Sequence, residues 1–349
     1  MSGVALLQEV RFAIGFKKQT DLVTQLADAN LISLRQTNED PMYARPINED
    51  DAADLGKGPY ITRTFPSHWE SGGAWNGRLT SEAAAIIMAF GMGNAVKTAT
   101  TSGFKYTMHE PNFPTDGLDM PATTVAVQIR TGGDAVVDKA LIGVCCEEFG
   151  FNFRTGPGRD NATFTSQWLG TGSNARPSGV TIPGIYDEHS LNAGGITTLS
   201  LVGFNYISNK RFGSVDFKWK NNIRDQSSFY PGSGEQDGYQ LRGRMRRGVP
   251  AFTLTAQVEC ANGSSEEDAL LSQTEGTGEI IVRGAQIDVD PTYHSVRLYF
   301  PRLTVKAAPI QNLDGITAYN VEYSVMQDPV DGVMTFEATC AHDNILAAA

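Results

Sequence analysis

The stretch from His294 to Cys340 decides the fold, and it opens with the residues HSVRLYFPRLTVK. Apolar side chains occupy every second position as far as Phe300, and beyond Pro301 they shift to the other parity, at Leu303 and Val305. Proline has no N–H to give to a strand ladder, and one extra residue in a strand changes which face is buried. The pattern therefore predicts one long β-strand that carries a bulge at the proline.

Two more strands follow within the same stretch, each introduced by turn-forming residues. The sequences Asn312-Leu313-Asp314-Gly315 and Asp331-Gly332 have the asparagine, aspartate and glycine content of tight turns. After each turn, apolar and polar residues alternate with the period of two that indicates a half-buried strand. The apolar positions are Tyr319, Val321, Tyr323 and Val325 in the first of these strands and Met334, Phe336, Ala338 and Cys340 in the second.

The composition is that of a globular chain with many turns and an acidic balance. The 349 residues, of which 41% are hydrophobic and 36 are glycine, favour about two domains. With 28 basic and 39 acidic residues, the formal net charge is −11. This balance argues against a general nucleic-acid clamp, because affinity for phosphate needs basic side chains that release counterions.

Four cysteines are too few for a disulfide framework in a chain of this length, so we expect reduced thiols and folding in the cytosol. The adjacent Cys145 and Cys146 should point to opposite faces of a strand. The N-terminal residues do not resemble a signal peptide. The longest apolar run, Ala83 to Phe90, is far shorter than the ~20 residues of a membrane span. We therefore expect a soluble protein without a membrane partner.

Residues 1–58 are predicted to form an irregular N-terminal segment with an extended arm. A short strand is expected at Val10 to Phe16, followed by a polar stretch that contains the tripeptides Asn38 to Asp40 and Asn48 to Asp50. Such acidic runs usually remain solvated. The alternative is an arm that reaches onto a neighbouring subunit.

Residues 59–197 contain the clearest helix signal of the sequence. Thr80 or Ser81 can cap its N-terminus, Glu82 suits the first turn, and Gly91 and Gly93 can end it. One strand is expected before this helix and four after it, at Tyr60 to Phe65, Phe104 to Met108, Thr123 to Arg130, Leu141 to Arg154 and Ala162 to Leu169.

Residues 198–349 repeat this order of elements. The sequence Ser264-Ser265-Glu266-Glu267 is a capping box for a short helix through Leu271, which Gly276 and Gly278 would stop. The common order predicts a tandem duplication, with a first β module before residue 198 and a second β module after it. Besides the three strands described first, the second module should have strands at Val215 to Trp219, Phe252 to Val258 and Glu279 to Val289.

Signatures of catalysis or of cofactor binding are scarce. The sequence lacks the serine-hydrolase elbow, the HExxH zinc motif, the phosphate-binding P-loop and the CxxC motif. Its five histidines are far apart, although His68 and Glu70 could present two metal ligands on one strand face. Neighbouring acids such as Glu147 and Glu148 need only solvation. We therefore expect no enzymatic activity, no cofactor and no metal site.

One basic cluster stands out in this acidic chain, at Arg242, Arg244, Arg246 and Arg247. On a strand the first three would share one face, where like charges repel each other unless an acidic partner lies opposite. A solvated surface and a nucleic-acid contact are alternatives. We favour an interface with an acidic surface of another copy, because arginine suits protein interfaces and the chain has carboxylates in excess.

Taken together, these features resemble the major tail tube proteins of long-tailed bacteriophages, over most of the chain. The resemblance rests on a profile of strands and glycines rather than on one sharp motif. Its elements are Ile14-Gly15-Phe16-Lys17 ahead of the arm, the capped helix that ends in Phe90-Gly91, Leu141-Ile142-Gly143-Val144 leading into Glu148-Phe149-Gly150-Phe151, and the closing strands with turns at Asp328-Pro329 and Asp331-Gly332.

The resemblance implies a mainly β fold of tandem β-sandwich modules, each with one short α-helix, whose strands join those of neighbouring copies in a continuous barrel. Six modules complete a ring and the rings stack into a tube, so a trimer of two-module chains is favoured over a hexamer. It further implies a virion protein that is assembled in the host cytoplasm. Its other partners would be the tape measure, terminator and tip proteins, and double-stranded DNA that passes through the lumen without specific binding.

An acid-lined bore would keep DNA from sticking, because the duplex carries a charge every ~1.7 Å. Three chains of −11 give 3 × −11 = −33 for each ring. If part of this charge faces inward, the acids on the polar faces of the long strands would line the lumen. The predicted lumen-facing residues are Glu148, Asp288 and Glu322.

Two other functions fit a β-rich chain. The first is another virion β-protein, such as a capsid decoration or baseplate component. The second is a carbohydrate-binding or hydrolytic β-sandwich, in which exposed tryptophans would stack on sugars. Its candidate residues are Trp69, Trp75, Trp168 and Trp219, although aromatic residues on strands more often fill the core.

Overall fold

The computed structural model describes residues 8–35, 42–50, 64–110, 119–131, 134–155, 162–186, 189–224, 229–233, 236–260, 265–288, 291–313 and 315–348. Over these residues the protein is mainly β, with two short α-helices, α1 (Ser81–Met92) and α2 (Ser265–Ser272). The strands are β1 (Gln8–Gly15), β2 (Leu31–Ile32), β3 (Tyr43–Asp50), β4 (Thr64–Ala74), β5 (Gly77–Arg78), β6 (Val96–Ala99), β7 (Phe104–His109), β8 (Thr123–Thr131), β9 (Asp134–Arg154), β10 (Ala162–Gly170), β11 (Asn174–Ala175), β12 (Ile196–Leu201), β13 (Phe204–Asn205), β14 (Phe212–Lys220), β15 (Phe229–Pro231), β16 (Gln240–Arg242), β17 (Ala251–Glu259), β18 (Glu275–Gln286), β19 (Tyr293–Ala307), β20 (Ile310–Leu313), β21 (Ile316–Val325) and β22 (Thr335–Cys340).

Eight of the described strands form one antiparallel sheet, which we call the long sheet. Its order is β3–β4–β10–β9–β14–β17–β21–β20. Along the strands a buried position alternates with a polar one, as in Phe149, Phe151 and Phe153 against Glu148 and Asn152. An antiparallel sheet that packs on a core with one face only shows this alternation.

A second antiparallel sheet covers the buried face of the long sheet, with the order β12–β18–β19–β22–β7–β6. The ring of Phe336 on β22 lies 6.2 Å from the ring of Phe149 and 5.2 Å from that of Phe217, measured between centroids. The two sheets therefore pack face to face across an aromatic core.

Strand β19 belongs to both sheets because of its bulge. Its register against β18 shifts between Phe300 and Leu303, so the segment around Pro301 holds one residue more than its partner. Beyond this point Leu303 and Val305 are buried and pair with β21 of the long sheet. The predicted bulge and change of parity are confirmed, and the bulge lets one strand pass from one layer to the other.

The two predicted turns of this stretch are also confirmed. Gly315 and Gly332 have φ of 86° and 75°, in the left-handed region that glycine adopts without strain. The Asn312 side chain accepts a hydrogen bond from the N–H of Gly315 at 2.7 Å, while Asp314 lies outside the described residues. In the strands that follow, the predicted apolar side chains are buried in β21 from Tyr319 to Tyr323 and in β22 from Phe336 to Cys340, whereas Val325 is half-buried and the buried Met334 lies just before β22.

Helix α1 lies between the two sheets, and every one of its residues is buried. Thr80 caps it by accepting a hydrogen bond from the N–H of Ala83 at 3.1 Å, and Gly93 ends it at φ 82°. Gly91 is not the end of the helix but a packing position, because a Cβ there would lie 2.4 Å from the ring of Phe149. The predicted helix, its cap at Thr80 and its end at Gly93 are confirmed, whereas the prediction that Gly91 ends it is wrong.

Helix α2 is confirmed as well, but the predicted stop is wrong. The helix ends at Ser272, and Gln273 takes the left-handed conformation at φ 50°. Gly276 and Gly278 lie in β18 instead, where a Cβ on Gly276 would come within 2.9 Å of the backbone of Val202. Among the described residues, no helix is both long and apolar enough to cross a lipid bilayer.

Strands from before and after residue 198 share the same sheets and one core. β9 lies beside β14, and β7 lies beside β22. The main cluster of buried side chains extends from Phe12 to Ile345, and the expected boundary between residues 197 and 198 falls inside β12. The main core is therefore common to both halves, and the tandem duplication of residues 59–197 and 198–349 stays a prediction.

The described part of residues 1–58 contains irregular chain, the short strand that was expected at Val10 to Phe16, which is β1, and a further strand, β3, that the sequence did not predict. β1 pairs with β8 and sends Phe12 and Ile14 into the main core, while β3 forms an edge of the long sheet beside β4. The tripeptide Asn48 to Asp50 belongs to β3. Asn38 to Asp40 and the first part of the expected strand at Tyr60 to Phe65 lie outside the described residues.

Candidate assembly surface

The polar face of the long sheet runs across its five central strands. One row of neighbours across β10, β9, β14, β17 and β21 consists of Thr163, Asn152, Asp216, Thr255 and Glu322. Asn152 donates a hydrogen bond to Asp216 at 2.5 Å. The face is therefore a broad, hydrophilic β surface, whereas the reverse side of the same strands is buried.

Basic and acidic side chains are mixed on this face. Glu148 lies directly opposite Lys220 in the pairing of β9 with β14. Glu322 forms an ion pair with Lys306 at 2.5 Å, and Lys218 is exposed on the strand between them. Glu148 and Glu322 thus share one face, as the lumen prediction requires, but each has a cation beside it, so the face does not form a purely acidic lining.

Asp288 does not belong to this face. The predicted strand ends at Gln286, and Asp288 occupies an exposed turn with φ 55°. The strand β18 that precedes it lies in the second sheet, between β12 and β19. The premise that Asp288 lies on the polar face of a long strand is wrong, because the chain leaves the ladder two residues before it.

Both edges of the long sheet are open within the described residues. β3 pairs with β4 alone, and β20 pairs with β21 alone. Large apolar side chains are exposed at both edges: Tyr43 and Phe65 on β3 and β4, and Ile310 and Ile316 on β20 and β21. An edge strand offers unpaired N–H and C=O groups to another chain, so each edge has the backbone and the apolar surface to receive a further strand.

The four clustered arginines do not share one strand face. The strand β16 ends at Arg242, which is buried and donates to the carbonyl oxygen of Gly170 at 3.3 Å. Arg247 is buried too, and its Nη2 donates to the carbonyl oxygen of Gly91 at 2.8 Å, near the C-terminus of α1. A guanidinium stabilises a helix at this end because the last carbonyls are unpaired and partly negative. Two of the four predicted interface residues are thus held inside the chain.

The other two, Arg244 and Arg246, are exposed. Arg246 makes a loose ion pair with Asp119 at 3.5 Å, and its carbonyl oxygen accepts from the N–H of Arg224 at 2.9 Å. Arg224 is exposed as well, and so is Val249, at 78%. We call this surface, formed by Arg224, Arg244, Arg246 and Val249, the basic end.

Sequence reasoning missed Arg224 because eighteen or more residues separate it from the cluster. One feature of the sequence nevertheless indicated that the chain near Arg224 turns back towards the cluster. The residues Asn221-Asn222 directly after β14 are turn formers, and Asn222 donates a side-chain hydrogen bond to the carbonyl oxygen of Val249, just before β17, at 2.7 Å. The two ends of the connection between these two strands are therefore in contact, and Arg224 lies beside the cluster.

A buried polar cluster joins α1 to β19 beneath the surface. Nδ1 of His294 lies 2.7 Å from Ser81 Oγ and 3.4 Å from Glu82 Oε1, and the ring of His189 lies 4.3 Å away. Burial, together with the neighbouring His189, lowers the pKa of His294 to about 4. Serine and glutamate approach the same ring nitrogen, whereas a hydrolytic triad needs them on different nitrogens. The cluster is structural, and the sequence concealed it because Ser81 and His294 are 213 residues apart.

The alternative functions find little support in the side chains. Within the described part of the chain, no group of three or more His, Cys, Asp or Glu side chains could hold a metal ion, and His68 and Glu70 form only a 3.8 Å pair. Cys145 and Cys146 are free and buried on opposite sides of β9, as predicted. The tryptophans that a sugar-binding platform would expose are all buried: Trp69, Trp75, Trp168 and Trp219.

A comparison of the sequence with protein-family models and with curated proteins finds no match. The geometry of the long sheet, the two edges that are open within the described residues and the distribution of charge around them are therefore the features that bear on function.

Proposed function

We propose that this protein is a structural virion protein that assembles into rings and stacked tubes, in the manner of the phage tail tube proteins that its sequence resembles. The observation that carries the proposal is the long sheet. It has one face on the core, one polar face and two open edges. Joining the edge β20 of one copy to the edge β3 of the next continues the sheet, and a closed ring of copies leaves no edge unpaired.

The size of such a ring supports three copies. Three copies would supply 3 × 8 = 24 strands from the described residues. With strands ~4.8 Å apart and tilted by ~40°, a 24-stranded barrel measures about 48 Å between opposite backbones. Inward side chains reduce this opening to about 38 Å, which admits a hydrated DNA duplex of roughly 20 Å. Six copies would double the diameter, so a duplex would pass without guidance from the wall.

The polar face suits a bore through which DNA slides. Two of its cations lie beside carboxylates, since Lys306 forms an ion pair with Glu322 and Lys220 lies opposite Glu148, whereas Lys218 lies opposite Gly150 and Thr253. A cation that is already paired gains little from a phosphate, because binding then has to break the existing pair. Passage requires no catalysis, and the tape measure, terminator and tip proteins of the virion are the further partners that this function implies.

Electron microscopy of the purified protein in negative stain, combined with sedimentation velocity, tests the proposal. The chain of 37.7 kDa should form rings of 3 × 37.7 = 113 kDa, which stack into tubes as the concentration rises. Rings of six would refute the copy number but not the function. A single species of 37.7 kDa at high concentration would refute the proposal. Binding to finished capsids without self-assembly would instead support a capsid decoration protein.

A further inference from the structure

The basic end is positive although the chain as a whole is strongly negative. Arg224, Arg244 and Arg246 are exposed there, with Val249 beside them. Exposed arginine around an exposed aliphatic side chain is the composition that protein interfaces favour. Asp119 forms an ion pair with Arg246 at 3.5 Å, and both side chains are exposed. An exposed ion pair of this kind contributes little free energy, so a carboxylate of another chain can replace Asp119.

Helix α2 presents the complementary surface. Glu266 and Ala269 face inward, and Glu266 forms a buried ion pair with Arg211 at 2.9 Å. Glu267, Asp268 and Leu271 face outward, and Leu271 is 77% exposed. This outer face, which we call the acidic face of α2, has two carboxylates and one aliphatic side chain, whereas the basic end has three guanidinium groups and one aliphatic side chain.

The two surfaces lie at opposite ends of the same strand. The Arg211 that anchors α2 immediately precedes β14, which begins at Phe212. The basic end follows the other terminus of β14, where the N–H of Gly248 donates to the carbonyl oxygen of Asn221 at 3.0 Å. The nine residues of β14 span about 30 Å at ~3.3 Å per residue, so one copy cannot bring its own two surfaces together.

We propose that the acidic face of α2 in a second copy docks on the basic end, with Leu271 against Val249 and the two carboxylates against Arg244 and Arg246. The surfaces differ, so the contact is heterologous and repeats from copy to copy along one axis. This axis runs along the strands, whereas the joining of sheet edges runs across them. This contact joins one ring to the next in the proposed tube, so it deepens the proposed function and rests on it.

Charge reversal on each side, followed by exchange, tests this contact. Arg244→Glu with Arg246→Glu should weaken axial association by roughly tenfold or more, which is the effect of losing close charge pairs at other interfaces. Glu267→Arg with Asp268→Arg should do the same, and mixing the two variants should restore mixed assemblies. The matched control is Lys18→Glu with Arg283→Glu, which makes the same change of charge at two exposed positions elsewhere. Circular dichroism and thermal unfolding establish that all the variants fold.

Microscopy reports tube length and ring closure separately, so the two proposals can fail independently. Rings that no longer stack in either variant, and stack again in the mixture, support the contact. Normal tube length in both variants, or no recovery in the mixture, overturns it while the proposed function stands. Wild-type filaments without rings would refute the proposed closure of rings, whereas the proposed axial contact would stand. If the arginine variant stacks normally but loses binding to a 30-base-pair duplex in fluorescence anisotropy, the basic end serves nucleic acid and the inference is wrong.

Discussion

Acid should destabilise this protein through His294. The imidazole is 1% exposed and faces Ser81, Glu82 and His189. Burial and the neighbouring His189 lower its pKa from 6.5 to about 4. The unfolded chain therefore binds this proton more readily than the folded one, so the neutral imidazole contributes stability above pH 6.5 that is lost as the pH falls towards 4. A shift of about 2.5 pH units corresponds to about 3 kcal/mol.

An ionised Glu82 would act in the opposite sense, because a negative charge 3.4 Å from Nδ1 would favour the imidazolium. Burial of both groups decides the direction in which the pKa of His294 shifts. Charging His294 would place an ion in a site that is closed to water, and Ser81 already donates its hydroxyl hydrogen bond to Glu82 at 3.0 Å. If the carboxylate prevailed, the pKa would rise above 6.5 and the protein would become more stable on acidification.

Urea unfolding at pH 7.0, 5.5 and 4.5 measures this contribution. The wild type should lose about 2 kcal/mol more than His294→Gln between pH 7.0 and 4.5, because glutamine can still bond to Ser81 but does not titrate. The control is His109→Gln, which removes an exposed histidine. Equal pH dependence in the wild type and His294→Gln, or a gain of stability in acid, would refute the reasoning.

Two further outcomes follow from the helix terminus and the sheet edge. Arg247→Leu should lower the free energy of unfolding by about 2 kcal/mol, because it removes the charged one of the two donors to the buried carbonyl of Gly91, the other being the side-chain amide of Asn221. Arg244→Leu, at an exposed site, should change it by less than about 0.5 kcal/mol in the same thermal unfolding experiment. Ile310→Lys should leave the monomer folded but abolish rings in negative stain, because a lysine on an open edge blocks strand pairing, whereas Val330→Lys in an exposed turn should assemble normally.

The elements that the sequence predicted well are those whose signal is local. Three such features are confirmed: the alternation around Phe300, the parity change at Pro301 and the cap at Thr80. Each depends on residues that are close together in the sequence. β4 was largely missed because Pro66 and the glycine pair Gly72-Gly73 interrupt its alternation. Those glycines are needed, because a Cβ on Gly72 would lie 2.3 Å from the carbonyl oxygen of Trp168.

The features that the sequence did not predict depend on contacts between distant segments. Arg247 appeared to belong to a surface cluster, but the C-terminus of α1 lies against it, 156 residues away in the chain. The same holds for strand pairing across residue 198, since β9 lies between β10 of its own half and β14 of the other half. Local order of elements cannot reveal which strand becomes the neighbour of which, because pairing is decided by the common core.

The distribution of charge explains how an acidic chain can have a polar face that is not acidic. The net charge of −11 is a property of the whole chain, whereas the face is governed by cross-strand neighbours, where an isolated row of carboxylates would repel itself. Pairs such as Lys306 with Glu322 remove that repulsion and still leave the surface hydrophilic. For a bore this arrangement is better than a strongly acidic wall. If the proposed function is correct, a wall of mixed charges would neither bind the duplex tightly, which would slow it, nor repel it, which would oppose its entry.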